Sequence, residues 1–164
     1  LLHLQLPGDG AYYVAIYPRP RDEEPPAFST LADGRVIKTS GPFGTDYAFL
    51  ALESGTAQAE GVSFSGTACA VQKREQATVL SLGAGGKVST GDRALEAPFA
   101  AALHVEDRRA RLTVPENCPG GEATISLPGD WKAGAHGGMK VEAVEGGFAV
   151  AMPEGGAEVV FTRN

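Results

Sequence analysis

The sequence has few cysteines, few aromatic residues and no long apolar run. Its 164 residues include two cysteines, Cys69 and Cys118, and 7% aromatic side chains. Two cysteines are too few for a disulfide scaffold, although a bridge between them, closing a loop of about 50 residues, stays open. No apolar run approaches the roughly 20 residues that a membrane-crossing helix needs, so a membrane span is excluded.

Basic residues are also in deficit. Fourteen Lys and Arg oppose twenty Asp and Glu, which gives a net charge of -6. From Leu112 onward the chain holds seven acids and three bases. Because binding to a phosphate backbone is driven by Lys and Arg, this balance disfavours nucleic acid as a partner.

Helical periodicity is missing as well. The best window, Arg93–Leu103, is interrupted by Pro98, which would break a helix. The 22 glycines and 11 prolines are scattered along the chain. This distribution is typical of many short elements joined by turns, so helix is minor at most.

Alternation of apolar and polar residues with a period of two runs through most of the chain instead. Ala11–Tyr17 is apolar on both faces and predicts a central strand, and Pro18–Pro26 predicts a polar crossing between sheets. With about twelve short strands, the pattern predicts one all-β domain over residues 1–164, an antiparallel β-sandwich with little or no helix. The further predicted strands are Arg35–Thr39, Asp46–Leu52, Gly61–Ser65, Ala68–Lys73, Thr78–Leu82, Phe99–Glu106 and Arg109–Val114.

One hairpin has a register that its own pattern specifies. A turn at Asp107-Arg108 would place Leu103 and Val105 across from Leu112 and Ala110 on a buried face. His104 and Glu106 would then face Arg111 and Arg109 on the other side, where His104 would be a half-exposed strand residue.

A second hairpin is predicted near the C-terminus, with a loop at Pro153–Gly156. It would set Met152 against Ala157, Val150 against Val159 and Phe148 against Phe161, all lining the core. Residues 111–125 show a similar order of elements: a strand, Pro-Glu, a Gly-Gly turn and a second strand. This similarity predicts another hairpin there.

No catalytic motif is complete. Gly61–Ser65 misses the last glycine of the G-x-S-x-G nucleophile elbow. His104-Val105-Glu106 matches half of a zinc deaminase signature, but the P-C-x-x-C half is missing at Cys118. Gly83–Gly86 lacks the Lys-Ser/Thr of a phosphate-binding loop. The sequence therefore predicts no catalytic residue, no metal site and no cofactor.

Aromatic side chains offer another route to function, because the apolar faces of sugar rings pack on Trp and Tyr. Trp131 follows a predicted strand, and Tyr13 and Tyr17 share one strand face. These three are the candidate ligand-binding residues, for a glycan. The alternative is structural: Trp131 would cap the core, and the tyrosines would pack under the crossing loop.

Three segments carry a resemblance to a known family. They are Tyr12–Pro18 with its Pro-rich crossing, Thr45–Leu50, and Gly61–Ala68 leading to Thr78–Leu82. Over residues 11–127 they resemble the C-terminal β-sandwich of heparinase II/III-like polysaccharide lyases. The resemblance implies an exported, multidomain parent whose α-helical toroid and central β-sandwich carry the catalytic Tyr and His and any structural metal. The terminal sandwich would be ancillary, and no functional residue of the family carries over.

Three functions follow from these observations. The first is a non-catalytic ancillary domain of a larger carbohydrate-active protein, with a neighbouring domain of the same polypeptide as partner. The second is a carbohydrate-binding module with an aromatic platform, and the third is a free-standing enzyme. Because the chain starts at Leu1 without a Met, we expect a C-terminal fragment whose face around Leu1–Leu6 and Pro18–Pro26 packs on its neighbour.

Overall fold

The computed structural model describes residues 21–134 and 137–163, and all regular elements in these ranges are β-strands. The all-β prediction is therefore confirmed. No helix of the described part is long and apolar enough to cross a membrane. The fourteen strands are β1 (Ala27–Leu31), β2 (Val36–Gly41), β3 (Gly44–Ala59), β4 (Val62–Lys73), β5 (Ala77–Leu82), β6 (Gly86–Thr90), β7 (Arg93–Ala97), β8 (Ala101–Glu106), β9 (Arg109–Val114), β10 (Pro119–Ser126), β11 (Trp131–Ala133), β12 (Val141–Val144), β13 (Gly147–Glu154) and β14 (Ala157–Arg163).

These strands form one antiparallel sheet that bends into two layers and nearly closes on itself. The long β3–β4 hairpin belongs to both layers, and its register shifts between Leu50 and Gly55. On one side of that shift the order is β1-β2-β3-β4-β5-β8-β9-β14-β11, which we call the first layer. On the other side it is β3-β4-β6-β7-β10-β13-β12, the second layer.

The core lies between the two layers and follows the alternation of the strands. In β5, Thr78, Leu80 and Leu82 are buried, whereas Val79 and Ser81 between them are only partly so. Phe148 of the second layer packs on Phe161 of the first, with ring centroids 4.8 Å apart. Burial of each such side chain stabilises the fold by about 1.5 to 3 kcal/mol. Each strand therefore turns its more apolar face towards the core.

The register predicted for the hairpin β8–β9 is confirmed. Leu103 pairs with Leu112 and Val105 with Ala110, and all four side chains are buried. His104 pairs with Arg111 on the outward face. A short polar turn leaves only one register that keeps both faces consistent, which is why the sequence alone predicts it.

The predicted C-terminal hairpin is wrong. β13 pairs with β10 and β12, whereas β14 pairs with β9 and β11. The loop Pro153–Gly156 therefore crosses from the second layer to the first. Val150, Met152, Val159 and Phe161 are buried as expected, but they meet across the core. Alternation specifies which face of a strand is buried, not which strand lies beside it.

The predicted hairpin at 111–125 is wrong for the same reason, since β9 and β10 also lie in different layers. The two similar units pair with each other instead, β9 with β14 and β10 with β13. Their two crossings lie side by side, and the Gly155 amide donates a hydrogen bond to the Cys118 carbonyl at 3.1 Å. The internal similarity thus marks two adjacent layer crossings.

The predicted strands Gly61–Ser65 and Ala68–Lys73 are parts of one strand, β4. Gly66 lies inside it with φ +134°, and a Cβ there would come within 2.8 Å of the Gly85 carbonyl oxygen. Glycine permits both the backbone angle and the close approach, so it bends the strand without ending it. The predicted strand Ala11–Tyr17 lies outside the described residues.

Candidate functional site

Trp131 is the one proposed aromatic ligand residue within the described part of the chain. It opens β11, is half-buried, and packs against the core. Its indole N–H donates a hydrogen bond to the Pro128 carbonyl at 2.9 Å. The polar group of the ring is therefore satisfied inside the protein, and a ligand could use only the remaining open ring surface. Tyr13 and Tyr17 lie outside the described residues.

His104 lies on the outward face of β8, half-buried, with its Nε2 3.8 Å from the Glu106 carboxylate. This is the half-exposed strand histidine that the pattern favours over a zinc ligand. Within residues 21–134 and 137–163, no group of three or more His, Cys, Asp or Glu side chains could hold a metal ion.

The two cysteines are both buried and free, so the bridge that the sequence left open is not formed. Burial raises the pKa of the Cys69 thiol above its ordinary value. Cys118 accepts a hydrogen bond from the Gly120 amide at 3.3 Å. Because a thiolate is the reactive form, the raised pKa keeps Cys69 in the less reactive thiol form.

A polar cleft opens at one end of the first layer. The turn after β4 (74–76) and the turn between β8 and β9 (106–109) form two walls, because β4, β5, β8 and β9 are neighbours whose connections lie at the same end. Arg93, from β7 of the second layer, reaches in from the other side. The volume is about 860 Å³, within the range of small-molecule sites. We call this the arginine cleft.

The arginine cleft carries charges of both signs. Its lining includes four arginines and three carboxylates, which are Arg74, Arg93, Arg108, Arg109, Glu75, Glu106 and Asp107. Arg74 forms an ion pair with Asp46, and Glu106 lies near His104. Within the described residues, no ion pair or hydrogen bond occupies the side chains of Arg108 and Arg109.

Arg93 links the two layers inside this cleft. Its Nη1 donates a hydrogen bond to Thr78 Oγ1 at 2.8 Å, and Thr78 is only 8% exposed. Its Nε is buried and has no hydrogen-bond partner in the described structure. Such an unpaired donor is costly in a folded protein, and the guanidinium offers more donors than Thr78 accepts.

Sequence reasoning missed the arginine cleft. Arg74, Arg93 and Arg108 are far apart along the chain and belong to no motif. The available signals were weak: an inward-facing Thr78 in an apolar strand and a pair of arginines in a turn. The cleft arises from strand order, which alternation does not predict.

A second polar cluster surrounds Tyr47 of β3. Its hydroxyl donates a hydrogen bond to Glu60 Oε2 at 2.8 Å, and Lys38 Nζ donates to the same oxygen at 2.7 Å. The pKa of Tyr47 is raised to about 12, mainly by burial and then by the hydrogen bond and the charge of Glu60. The hydrogen bonds from Lys38 and Tyr47 lower the pKa of Glu60. The phenol therefore stays protonated at neutral pH and acts as a hydrogen-bond donor.

We expect Tyr47 to ionise near pH 12, against 10.0 for an ordinary tyrosine. Because its pKa is higher in the folded than in the unfolded chain, its contribution to stability is complete below about pH 10 and is lost towards pH 12. Denaturant unfolding of the wild type and of Tyr47→Phe across this range measures the effect. The wild type should lose stability more steeply, and equal slopes would show that the phenol is not perturbed.

An apolar surface lies on the outward face of the first layer, near the bend of β3. Leu52 is 89% exposed and Leu50 is 47% exposed. On the same face, Leu50 pairs with Ala68, and Ala48 pairs with both Ile37 and Ala70. We call this surface the outer apolar patch, and its members are Ile37, Ala48, Leu50, Leu52, Ala68 and Ala70.

The molecule is thus an all-β antiparallel protein with a polar cleft and an outer apolar patch. Comparison of the chain with protein-family models, with curated proteins and with solved structures finds no match.

Proposed function

We propose that this chain is a non-catalytic ancillary domain of a larger carbohydrate-active polypeptide, and that its outer apolar patch packs on a neighbouring domain. The observation that carries the proposal is the pair Leu50 and Leu52. Both are exposed in the middle of β3, the longest strand among the described residues, and Leu50 lies beside Ala68 on the adjacent strand.

The physical reason is the cost of leaving such a surface in water. The inward face of the first layer already packs on the second layer, so folding of this domain does not require an apolar outward face. Contiguous exposed apolar surface usually marks an interaction site. Interfaces between domains of one polypeptide typically bury about 600 to 1,500 Å², which a patch of this kind could supply with its surroundings.

The carbohydrate-active context is supported by the resemblance of Thr45–Leu50 and Gly61–Ala68 to the terminal sandwich of polysaccharide lyases. These segments lie in β3 and β4, the strands that also carry Leu50 and Ala68 of the patch. A carbohydrate-binding module is the second candidate, and the open ring surface of Trp131 is the observation that favours it.

The interface is tested with the double variant Leu50→Ser/Leu52→Ser. We expect it to bind the separately produced remainder of the parent polypeptide at least about tenfold more weakly than the wild-type chain, because each buried leucine contributes about 1.5 to 3 kcal/mol. Val144→Ser is the matched control, since Val144 is also exposed (43%) but lies on β12 of the second layer, away from the patch. Equal binding by both variants would refute the patch as the interface.

The absence of catalysis is tested separately. The isolated chain should turn over neither uronic-acid nor neutral glycans in eliminase and hydrolase screens, with the parent polypeptide as a positive control. Turnover by the isolated chain that is abolished by His104→Ala would overturn the ancillary role and establish an enzyme instead.

A further inference from the structure

We propose that the arginine cleft is a binding site for a hydroxylated carboxylate of sugar-acid size. The site is distinct from the outer apolar patch, which lies on the outward face of the first layer. It does not depend on the ancillary role proposed above, because only groups that line the cleft would contact the ligand.

The carboxylate is assigned to the arginines. Arg108 and Arg109 have no side-chain partner within the described residues, and Arg93 uses one of its donors, on Thr78. A guanidinium presents its N–H groups as a planar fork that matches the two oxygens of a carboxylate. Arg93 is also pre-positioned, because Thr78 holds it from the opposite layer.

The hydroxyl groups are assigned to the carboxylates of the same cleft. Glu75 and Asp107 can only accept hydrogen bonds when ionised, so they need donors from a ligand or from water. They would also oppose the close approach of a polyanion such as a nucleic acid. A ligand that carries both carboxylate and hydroxyl groups meets both requirements, since it offers acceptors to the arginines and donors to the acids.

The size of the site agrees with this class. The cleft measures about 860 Å³ and opens to solvent between two turns. Pockets of roughly 300 to 1,000 Å³ take ligands larger than acetate or a single ion. A saccharide with an acidic ring fits that range.

The test is a titration of the full chain with digalacturonic acid, followed by isothermal calorimetry and by amide chemical shifts. We expect saturable binding, with shifts confined to 74–78, 93 and 106–109. The neutral disaccharide of the same ring size should bind at least about tenfold more weakly, because it lacks a charge-assisted pair worth about 1.5 to 3 kcal/mol. Inorganic phosphate should also bind more weakly, because it is too small to contact the arginines and the acids of the cleft together.

Variants identify the groups. Arg93→Ala and Arg108→Ala should each weaken binding of digalacturonic acid about tenfold or more. Thr78 acts through Arg93 as a positioning residue, so Thr78→Val should weaken binding and Thr78→Ser should keep it. Lys87→Ala is the control, because Lys87 lies on β6 of the second layer, paired with Glu96 outside the cleft.

Arg108 lies in an exposed turn, so its variant keeps the test sound if the Arg93 variant does not fold. The proposal is overturned if digalacturonic acid does not bind, if the neutral disaccharide or phosphate binds equally well, or if binding survives both arginine substitutions. Loss of the outer patch in Leu50→Ser/Leu52→Ser should leave this binding unchanged, which separates the two proposals.

Discussion

Replacing Phe161 by alanine is expected to lower the free energy of unfolding by about 3 to 5 kcal/mol. Phe161 is fully buried and packs on Phe148 of the other layer. Its removal therefore leaves a cavity where the two layers meet. Since a domain of this kind is stable by about 5 to 15 kcal/mol, such a loss would bring the protein close to unfolding. Urea denaturation measures the change directly.

The control for this substitution is Phe28→Ala. Phe28 lies on β1 and is exposed, so we expect a change within about 0.5 kcal/mol. A loss below about 1 kcal/mol for Phe161→Ala would contradict the packing of β14 against the second layer.

A comparably large loss of stability is expected when Gly44 is replaced by alanine. Gly44 has φ +119°, and a Cβ there would overlap the Lys73 carbonyl oxygen on the paired strand. The backbone angle should cost about 1 to 2 kcal/mol and the overlap about 1 to 3 kcal/mol more. The sum is a loss of about 2 to 5 kcal/mol, measured by urea denaturation.

Gly34→Ala separates the two causes. Gly34 has φ +82° and open space around it, so only the backbone term applies. We expect a loss of about 1 to 2 kcal/mol there. If Gly34→Ala were as damaging as Gly44→Ala, the close approach of β3 and β4 at Lys73 would not be a source of constraint. Because Arg74 follows Lys73, the Gly44 variant should also disturb the arginine cleft.

Local patterns were enough to predict the strand content and much of the core. Alternation in β5, β8 and β9 identified the buried faces, because a strand places every second side chain on the same side. The β8–β9 register was predictable because its turn is short and its two faces differ sharply in polarity. These features depend on residues close together in the chain.

The pairing of distant strands could not be predicted in this way. Phe148 and Phe161 are both core residues on consecutive strands, and a hairpin or a layer crossing would bury them equally well. The arginine cleft is a still clearer case, since Arg93, Thr78 and Arg108 meet through the order β4-β5-β8-β9 and the packing of β7 beneath it. Which side chains of a strand are buried depends on the alternation within that strand. Which strands face each other across the core depends on how all of the strands pack together, and residues close in sequence do not determine this.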